Sequence, residues 1–371
     1  MKNKTNISFI NFSIPGLLFL FFVTLLPLNS CKDESKESKK EEKGFSKIEY
    51  PSDVIPFFNK WNLILGDGSN AGVAEKFKKE DFFYTENDDK NNWVVFKAPN
   101  SGDTHGTSNN TRTELAQLKK WYPKTANDKL SATLKVMNVS TTGDARVAAS
   151  YSVVVGQIHS ADGHENEPLK IFYKKFPGHT KGSVFWNYEI NTAGDDNSKR
   201  WDYSTPVWGY DFSKVGESPD TYPEEPTDGI ALGEEFSYEI KVLDGVMSLT
   251  FTSKSNKTKT FSKNLLESEY FEKSSTPKQT QNLFVPIGQD GVERKNAYAN
   301  EGCFFKLGCY NQTNGKSPEV NMNWCSGAET HGGDIQKQYA DGSYAEVWFK
   351  TGSIFVSDAA VSNEEYFTKN D

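Results

Sequence analysis

The chain has 371 residues, a length that allows one large all-β domain or two ordinary domains. Hydrophobic residues make up 36% and aromatic residues 13%, which is enough apolar material for a core and excludes wholesale disorder. The net charge of −8 argues against a general nucleic-acid binder, which carries the opposite sign, so no nucleic-acid partner is expected.

Residues 1–30 have the features of a bacterial export signal. Lys2 and Lys4 give a positive start, and the apolar run over residues 14–28 is shorter than the roughly 20 residues that span a bilayer. The run ends in Leu-Asn-Ser-Cys, which resembles a lipobox with Cys31 as the lipid-bearing residue. We therefore expect a cell-envelope, outer-membrane lipoprotein that meets the membrane only through this anchor. A cleaved signal with an incidental cysteine is the alternative.

Residues 31–46 are predicted to be a charged tether. Residues 32–43 read KDESKESKKEEK and contain no apolar side chain, so this segment has nothing to bury and stays solvated. The Lys-Asp-Glu that follows the cysteine resembles the surface-export signal of Bacteroidetes lipoproteins, which implies a surface-exposed protein. A plain charged spacer is the alternative.

Residues 47–371 are predicted to form one domain, because short alternating segments recur without a dividing linker. Residues 193–230, rich in Asp, Pro, Tyr and Trp, are predicted to be a long loop. The pattern favours an all-β fold, a jelly-roll sandwich of two antiparallel sheets with a concave groove and short helices in the connections. Strands are predicted at 130–139 and 145–159, a hairpin at 236–252 with its turn at Asp244-Gly245, a final strand pair within 346–356, and short helices at 52–61, 73–78 and 264–272.

Three cysteines, Cys303, Cys309 and Cys325, belong to the predicted domain, so it holds at most one disulfide and one free thiol. If Cys303 and Cys309 lie on one strand, they stand roughly 20 Å apart and are too distant to bond. Cys325 paired with either of them is possible in an exported protein.

Three predicted strands carry a polar face with an unusual set of side chains. Residues two apart on a strand point to the same face, and a solvated face tends toward Lys, Glu, Thr and Ser. Here the polar faces instead combine Arg, Gln, His and Tyr, and a solvated outer sheet is the alternative interpretation. The three sets are Arg112 with Glu114, Gln157 with His159 (Val154 and Ile158 opposite), and Lys306, Tyr310 and Gln312 (Phe305, Leu307 and Cys309 opposite).

Taken together, these segments resemble the alginate lyases of polysaccharide lyase family 7. That family carries three motifs in the same order, and here they read RTELA, QIH and FFKLGCYNQ over roughly residues 110–312. The third motif is the most specific of the three. The chain departs from the family pattern at Ala116, where an arginine is usual, and at Phe304, where a tyrosine is usual. The first departure removes one positive charge from the expected groove.

The resemblance implies β-elimination on alginate, a polymer of 1,4-linked uronates, by a monomer that uses no cofactor. The reaction needs a neutralised carboxylate, because negative charge builds there in the transition state. The arginine fork suits a carboxylate. Arg112 and Gln157 are expected to neutralise the carboxylate, Tyr310 to act as acid and base, and His159 to assist as base or further neutraliser, since its unperturbed pKa of about 6.5 permits both.

The remaining motif residues are expected to hold the substrate. Lys306, Asn311 and Gln312 would line subsites, and Glu114 would orient Arg112 or bind sugar hydroxyls. A local set of donors suffices for a polyanionic substrate despite the net charge of −8, since net charge describes the whole surface.

No metal is expected, because the other histidines, at 105, 164, 179 and 331, lack metal-ligand spacing. The carboxylate pairs at 88–89 and 195–196 could bind Ca²⁺ incidentally, but exposed turn carboxylates are the preferred interpretation.

Two other functions are possible from the sequence. A β-sandwich glycoside hydrolase needs two carboxylates about 5–10 Å apart across the groove, for which Glu114 and Glu346 are candidates. A non-catalytic carbohydrate-binding surface lipoprotein needs aromatic platforms, for which the tryptophans at 186, 201, 208 and 348 are candidates.

Finer substrate properties are expected as follows. Ile158 in the QIH motif resembles family members that favour guluronate-containing blocks, although it should itself face the core. Exolytic action is expected if loops close one end of the groove, and residues 159–182 and 193–230 are long enough to do so.

Overall fold

The structure is a computed structural model that describes residues 48–357 apart from 56, 89, 103, 105–107, 162–166, 191–200, 267–297 and 299–300. The chain divides into two units, residues 1–46 and 47–371, and every described residue belongs to the second. The predicted signal, Cys31 and the tether therefore lie outside the described residues. In the part of the chain that is described, no helix has the length and apolarity needed to cross a membrane.

Strands account for most of the regular structure. Their bounds, in chain order, are β1 (Trp61–Ile64), β2 (Asn70–Gly72), β3 (Phe83–Asn87), β4 (Asn92–Pro99), β5 (Arg112–Gln117), β6 (Asn127–Asn138), β7 (Ser152–Ser160), β8 (Leu169–Lys174), β9 (Lys181–Ile190), β10 (Trp201–Trp208), β11 (Ile230–Ala231), β12 (Phe236–Leu243), β13 (Val246–Ser253), β14 (Lys259–Asn264), β15 (Cys303–Asn311), β16 (Tyr344–Lys350) and β17 (Phe355–Val356). Among the described residues, the other regular elements are one α-helix, α1 (Ile335–Asp341), and four 3₁₀ turns (Pro51–Asp53, Phe58–Lys60, Pro123–Thr125 and His331–Gly333).

The strands form two antiparallel sheets that pack face to face. The site sheet has the order β10-β9-β8-β7-β15-β5-β1-β2, with β11 beside β9. The back sheet has the order β14-β13-β12-β6-β16-β4-β3, with β17 beside β6. The late strands β15 and β16 each enter the middle of a sheet between much earlier strands. This arrangement confirms the predicted all-β sandwich.

The core lies between the sheets and follows from alternation along each strand. In β12, Phe236, Tyr238, Ile240 and Val242 are buried while the intervening residues are more exposed. Alternating residues of both sheets therefore fill one layer, and removing this apolar surface from water is the main stabilising contribution, at about 25 cal/mol per Å².

The hairpin at β12 and β13 confirms the prediction from the Asp-Gly pair. Asp244 has φ of 47° and Gly245 has φ of 85°, and two consecutive residues with positive φ are what a type I′ turn requires. Leu243 then pairs with Val246 across the turn. The strand prediction at 130–139 is likewise confirmed by β6.

Other local predictions were only partly right. The β-rich run at 145–159 begins as turns, and β7 starts only at Ser152, because Tyr151 has φ of 62° and interrupts the extended backbone. The final two strands exist, but β16 and β17 each pair with β6 rather than with each other. The loop predicted at 193–230 contains β10 and ends at the first residue of β11.

The helix predictions were wrong where the structure describes them. The segment at 52–61 forms two short 3₁₀ turns, and the segment at 73–78 forms turns. Of the segment at 264–272, residue 264 is the last of β14, residues 265 and 266 form a bend, and residues 267–272 lie outside the described part. The helix α1 was not predicted; Asp334 caps its start by accepting from the Lys337 amide, and Gly342 ends it with φ of 85°.

Candidate active site

Three neighbouring strands of the site sheet carry the motif residues. Strand β15 lies between β7 and β5, and residues directly opposite each other on antiparallel strands share a face. The motif residues Leu115, Ile158 and Leu307 face the core, so the polar motif residues that alternate with them lie on the outer face of the site sheet. The register pairs Tyr310 with Arg112, Lys306 with Gln157 and Phe304 with His159.

These side chains form a polar patch, consisting of Arg112, Glu114, Gln157, His159, Lys306 and Tyr310. Phe304 and Tyr310 are six residues apart on β15. Because His159 lies opposite Phe304, His159 and Tyr310 stand at the two ends of the patch. Arg112 lies against the ring of Tyr310, and its positive charge also lowers the pKa of His159, so both groups border the same part of the patch.

Glu114 is the electrostatic centre of the patch. Its carboxylate accepts a hydrogen bond from the amide nitrogen of Gln157. It also lies 3.8 Å from Nη1 of Arg112 and 3.5 Å from Nζ of Lys306. Glu114 is 2% exposed, so these contacts are little screened by water. The carboxylate therefore holds three donors in place, as expected for a residue that orients Arg112.

Tyr310 has two polar neighbours at its end of the patch. The guanidinium carbon of Arg112 lies 4.0 Å from the centre of the phenol ring. The phenol oxygen lies 3.1 Å from Oγ of Ser108. Ser108 was missed by the sequence analysis, because it precedes the first motif by several residues and only the fold of the loop brings it to Tyr310.

His159 is held on three sides at the other end. Its ring stacks on Phe304 with centroids 5.1 Å apart, and Nδ1 lies 2.6 Å from the carbonyl oxygen of Ser160. Nε2 lies 3.5 Å from Oε1 of Glu167. Burial, together with the positive charge of Lys306, lowers the pKa of His159 to about 3. The imidazole is therefore neutral near pH 7.

Lys306 lies between the two ends. Burial is the main cause that lowers the pKa of its ammonium group; the carboxylate of Glu114 opposes the shift and Arg112 reinforces it. The cation is thus held close to one carboxylate in a partly dehydrated setting, where a substrate carboxylate would be attracted strongly.

Gly308 separates Lys306 from Tyr310 and is required by the packing of β15 on β5. It has φ of 149°. A Cβ at this position would lie 2.5 Å from the carbonyl oxygen of Thr113 and 2.8 Å from Cα of Glu114. Any side chain would therefore push apart the two strands that carry Tyr310 and Arg112.

Asn311 does not belong to the patch. It is fully buried and its amide nitrogen donates to the carbonyl oxygen of Pro99 and to Oδ1 of Asn100, both at 3.0 Å. Adjacent residues of a strand face opposite sides, so Asn311 points away from the face that carries Tyr310. Its hydrogen bonds connect β15 to the end of β4. Gln312 is 2% exposed and donates to the carbonyl oxygen of Tyr310 at 3.3 Å. Both were predicted to bind substrate, and the structure gives both of them contacts within the protein.

Val154 also differs from the prediction. It was expected on the core face with Ile158, yet it lies opposite Tyr310 and packs with it on the outer face of the site sheet. The pairing of β7 with β8 shifts register between Val154 and Gly156. Such a bulge adds one residue and reverses the face of all residues on one side of it. Alternation alone does not reveal it.

An apolar cluster covers the site sheet beside the patch. We call it the end cluster, and it brings three loops onto the outer face of β7, β8 and β9. Phe212 and Trp324 meet with ring centroids 4.8 Å apart, and Tyr310 packs against the cluster. Its buried members are Val147, Ala148, Ala149, Val154, Phe172, Phe185 and Phe212, with Trp324 partly buried against them.

As far as the described residues show, the groove is therefore closed over β8 and β9 and open over β15 and β5. On the closed side, Lys170 is 2% exposed and Asn187 is fully buried. On the open side, Arg112, Tyr310 and Ala116 are half-buried. The closure comes from residues of three loops, and only Phe212 belongs to a segment predicted to close the groove. Within the segment 159–182, the described residues include the end of β7, all of β8, the turn after it and the start of β9, while residues 162–166 lie outside the described part.

Ala116 marks the place of the missing arginine. It lies directly opposite Lys306 on β15 and opposite Asn62 on β1. It therefore shares the face of the polar patch. A methyl group here leaves Lys306 without a second cation across the strand pair.

The structure gives no support to a metal site or a disulfide in the described part of the chain. Among the residues it describes, no group of three His, Cys, Asp or Glu side chains could hold a metal ion. Asp88 binds Nζ of Lys135 at 2.8 Å, while residues 89, 105, 164, 195 and 196 lie outside the described part. Cys303, Cys309 and Cys325 are buried free thiols.

The carboxylate pair of the hydrolase alternative does not form. Val347 and Phe349 of β16 face the core, so Glu346 points to the outer face of the back sheet. There it lies 3.6 Å from Nζ of Lys97. Glu114 faces the opposite side of the sandwich, and the two carboxylates cannot flank one glycosidic bond.

The aromatic platforms of the binding-protein alternative are also not assembled. Trp186 and Trp208 belong to the buried core. Trp348 lies on the outer face of the back sheet, where its indole nitrogen donates to Glu346 at 2.6 Å. The side chain of Trp201 lies outside the described part.

Comparison with known proteins agrees with the geometry. The family model described as "Alginate lyase" matches residues 55–356. The chain belongs to the alginate lyase family. It degrades alginate, as a polysaccharide lyase.

Individual alginate lyases show different degrees of similarity to the chain. It is 62% identical to the exolytic PL7 alginate lyase AlyA5 of Zobellia galactanivorans, with a TM-score of 0.76 over 85% of this chain and 99% of that structure. An alginate lyase of Klebsiella pneumoniae is 28% identical over 51% of this chain and 69% of that protein. A solved alginate lyase of the same organism, 21% identical with a TM-score of 0.56 over 83% of this chain and 98% of that structure, shares the fold.

Proposed function

We propose that this alginate lyase acts exolytically, with Arg112, Gln157, His159 and Tyr310 as its catalytic residues. The closed end of the groove carries this proposal. A chain bound over the polar patch meets the end cluster directly beyond Tyr310, so the polymer cannot continue past the closed side. The relative that is 62% identical is an exolytic enzyme, which supports the same mode of action here.

Neutralisation of the substrate carboxylate falls to Arg112 and Gln157. The amide nitrogen of Gln157 carries two protons; Glu114 accepts one of them, and the second is the one assigned to the uronate carboxylate. Arg112 offers its fork from the neighbouring strand. Donors held in a little-hydrated site stabilise the charge that develops as the C5 proton leaves.

Proton transfer falls to the groups at the two ends of the patch. The C5–H bond breaks and its proton passes to Tyr310 or His159. The C5 electron pair forms the C4–C5 double bond as the C4–O bond breaks, and the leaving oxygen takes a proton from Tyr310. The products are a new saturated chain end and an unsaturated uronate.

Product analysis tests the proposal. Alginate is digested and the release of unsaturated uronate is followed by ultraviolet absorbance, while early products are separated by chromatography. Mono- and disaccharides from the first minutes, with long polymer still present, are the expected result. A ladder of mid-sized oligomers would refute exolytic action. Reducing ends without ultraviolet absorbance would refute the elimination itself.

Guluronate-containing blocks are proposed as accepted substrates. Ile158 of the QIH motif is fully buried in the core, so its influence on specificity acts through the placement of Gln157 and His159. Initial rates on guluronate-rich and mannuronate-rich fractions measure the preference. No activity on the guluronate-rich fraction would contradict the proposal.

We also propose that the enzyme is a monomer anchored to the outer membrane through a lipid on Cys31. The support is the lipobox-like sequence and the charged segment after it. Radiolabelled palmitate incorporated by the full chain but not by Cys31→Ser is the expected result; equal labelling would oppose the anchor. Light scattering measures the molar mass of the domain in solution. The mass of one chain supports the monomer, and a multiple of that mass opposes it.

A further inference from the structure

Glu167 is a charged residue at the edge of the polar patch that the catalytic scheme leaves unused. It precedes β8, and its side chain is 14% exposed. One carboxylate oxygen, Oε1, lies 3.5 Å from Nε2 of His159, and the other, Oε2, lies 3.2 Å from Nζ of Lys170. Lys170 is in turn bound to Glu189 on β9 at 2.6 Å. A chain of alternating charges thus runs from β9 to His159.

The hydrogen bonds of His159 define which nitrogen can take up a proton. The carbonyl oxygen of Ser160 can only accept, so its contact at 2.6 Å assigns the proton of the neutral ring to Nδ1. Nε2 then carries the lone pair, and Oε1 of Glu167 lies 3.5 Å from it. A proton that arrives at Nε2 creates an imidazolium beside a carboxylate, which stabilises it.

The two uronates of alginate make different demands on the base. They are epimers at C5, so the C5 proton lies on the same side of the ring as the leaving oxygen in mannuronate and on the opposite side in guluronate. A single group at the leaving oxygen can serve both steps only for mannuronate. Guluronate needs a base on the other side, and His159 stands at the opposite end of the patch from Tyr310.

We propose that Glu167 is a positioning residue that fits His159 to accept the C5 proton of guluronate. The C5–H bond breaks, the proton moves to Nε2, the electron pair forms the C4–C5 double bond, and Tyr310 protonates the leaving oxygen. Glu167 touches neither the reacting carbon nor the leaving oxygen. Lys170 and Glu189 fix its carboxylate so that it meets the ring on the side of Nε2. The inference rests on the catalytic assignment made above.

The experiment compares Glu167→Gln with the wild type on guluronate-rich and mannuronate-rich oligomers, measuring kcat and KM for each. The variant keeps the size of the side chain and removes its charge. We expect kcat on the guluronate-rich substrate to fall about tenfold or more, KM to stay within about twofold, and the mannuronate-rich reaction to stay within about threefold. Glu167→Asp keeps a carboxylate on a shorter side chain, so its kcat on the guluronate-rich substrate should lie between those of Glu167→Gln and the wild type. Glu86→Gln, an exposed carboxylate on β3, serves as the matched control.

Other outcomes overturn the inference. Equal losses on both substrates indicate a structural role, and unchanged kcat on the guluronate-rich substrate removes any role. A rise in KM alone indicates substrate binding. A wild-type enzyme that acts only on mannuronate would also exclude the proposed role of Glu167. If the wild-type enzyme acts only on guluronate, the role is tested by the changes in kcat and KM and by the recovery in Glu167→Asp. A wild type that releases no unsaturated uronate refutes the proposed function rather than the role of Glu167.

Discussion

Tyr310 and Arg112 lie directly opposite each other on β15 and β5, with the guanidinium carbon 4.0 Å from the centre of the phenol ring. The pair couples the group proposed to move protons to the group proposed to neutralise the uronate carboxylate. Because both stand on paired strands rather than on loops, their separation is fixed by the hydrogen-bond ladder. The site is therefore organised before substrate arrives.

Tyr310→Phe should abolish most of the turnover while substrate binding remains. The change removes only the phenol oxygen, and the ring keeps its contacts with Arg112 and the end cluster. General acid–base groups contribute roughly 100-fold to 10,000-fold to rate, so a loss of that size is expected in ultraviolet assays of product. Tyr122→Phe, at an exposed tyrosine, is the control. A variant with more than a tenth of the wild-type kcat would contradict the assignment of Tyr310.

Glu114→Ala should destabilise the fold as well as impair catalysis. It leaves Arg112 and Lys306 without their shared carboxylate and Gln157 without its acceptor. Breaking a buried ion pair costs on the order of 3 kcal/mol, measurable by denaturant unfolding. Glu239→Ala, which breaks an exposed pair with Lys129, should cost less than about 1 kcal/mol. Equal costs for the two variants would show that Glu114 has no special role.

Ala116→Arg should strengthen binding of the polyanionic substrate. The new cation would face Lys306 across the strand pair, and steady-state assays should show a lower KM with a steeper dependence on salt. Like charges opposite each other on neighbouring strands cost about 0.2–1 kcal/mol of stability, so the melting temperature should fall slightly. Ala116→Gln is the control, because it adds a long polar side chain at the same position without a positive charge. If both variants change KM equally, charge is not the cause.

Trp324→Ala should open the closed end of the groove. Trp324 packs on Phe212 in the end cluster and lies 5.6 Å from Nζ of Lys170. Its removal should shift early products toward longer oligomers, measured by chromatography, at a cost of about 2 kcal/mol in stability for a partly buried indole. Trp348→Ala, on the outer face of the back sheet, should keep the wild-type products. An unchanged product pattern in Trp324→Ala would show that the end cluster does not set the mode of cleavage.

Acid should weaken the fold through His159. Its pKa falls from 6.5 to about 3 on folding, so between these values the unfolded chain binds more protons and the free energy of unfolding decreases as pH falls. The contribution is fully present above pH 6.5, and its slope is on the order of 1 kcal/mol per pH unit. Denaturant unfolding at several pH values should show a shallower slope for His159→Asn. Identical slopes would contradict the burial of a neutral ring.

The three motifs predicted most of the polar patch because strand alternation is a local property. Residues two apart on β5, β7 and β15 share a face whatever surrounds them, so Arg112 with Glu114 and Lys306 with Tyr310 follow from spacing alone. The same rule failed for Val154, where a bulge reverses the alternation. For Asn311 the rule gives the far face correctly, and the wrong prediction came from its place in the motif. The hairpin at Asp244-Gly245 was predictable for the same local reason, since few residues adopt positive φ.

The sequence by itself determined the all-β class, the apolar and polar faces of the site strands, and the family of the enzyme. Only the tertiary structure decided which strands become neighbours and what covers them. Strand β15 pairs with β5 and β7, which lie more than a hundred residues earlier, and Glu167, Ser108 and Trp324 reach the site from separate loops. Such contacts depend on long-range packing of the whole sandwich, which no local pattern of residues encodes.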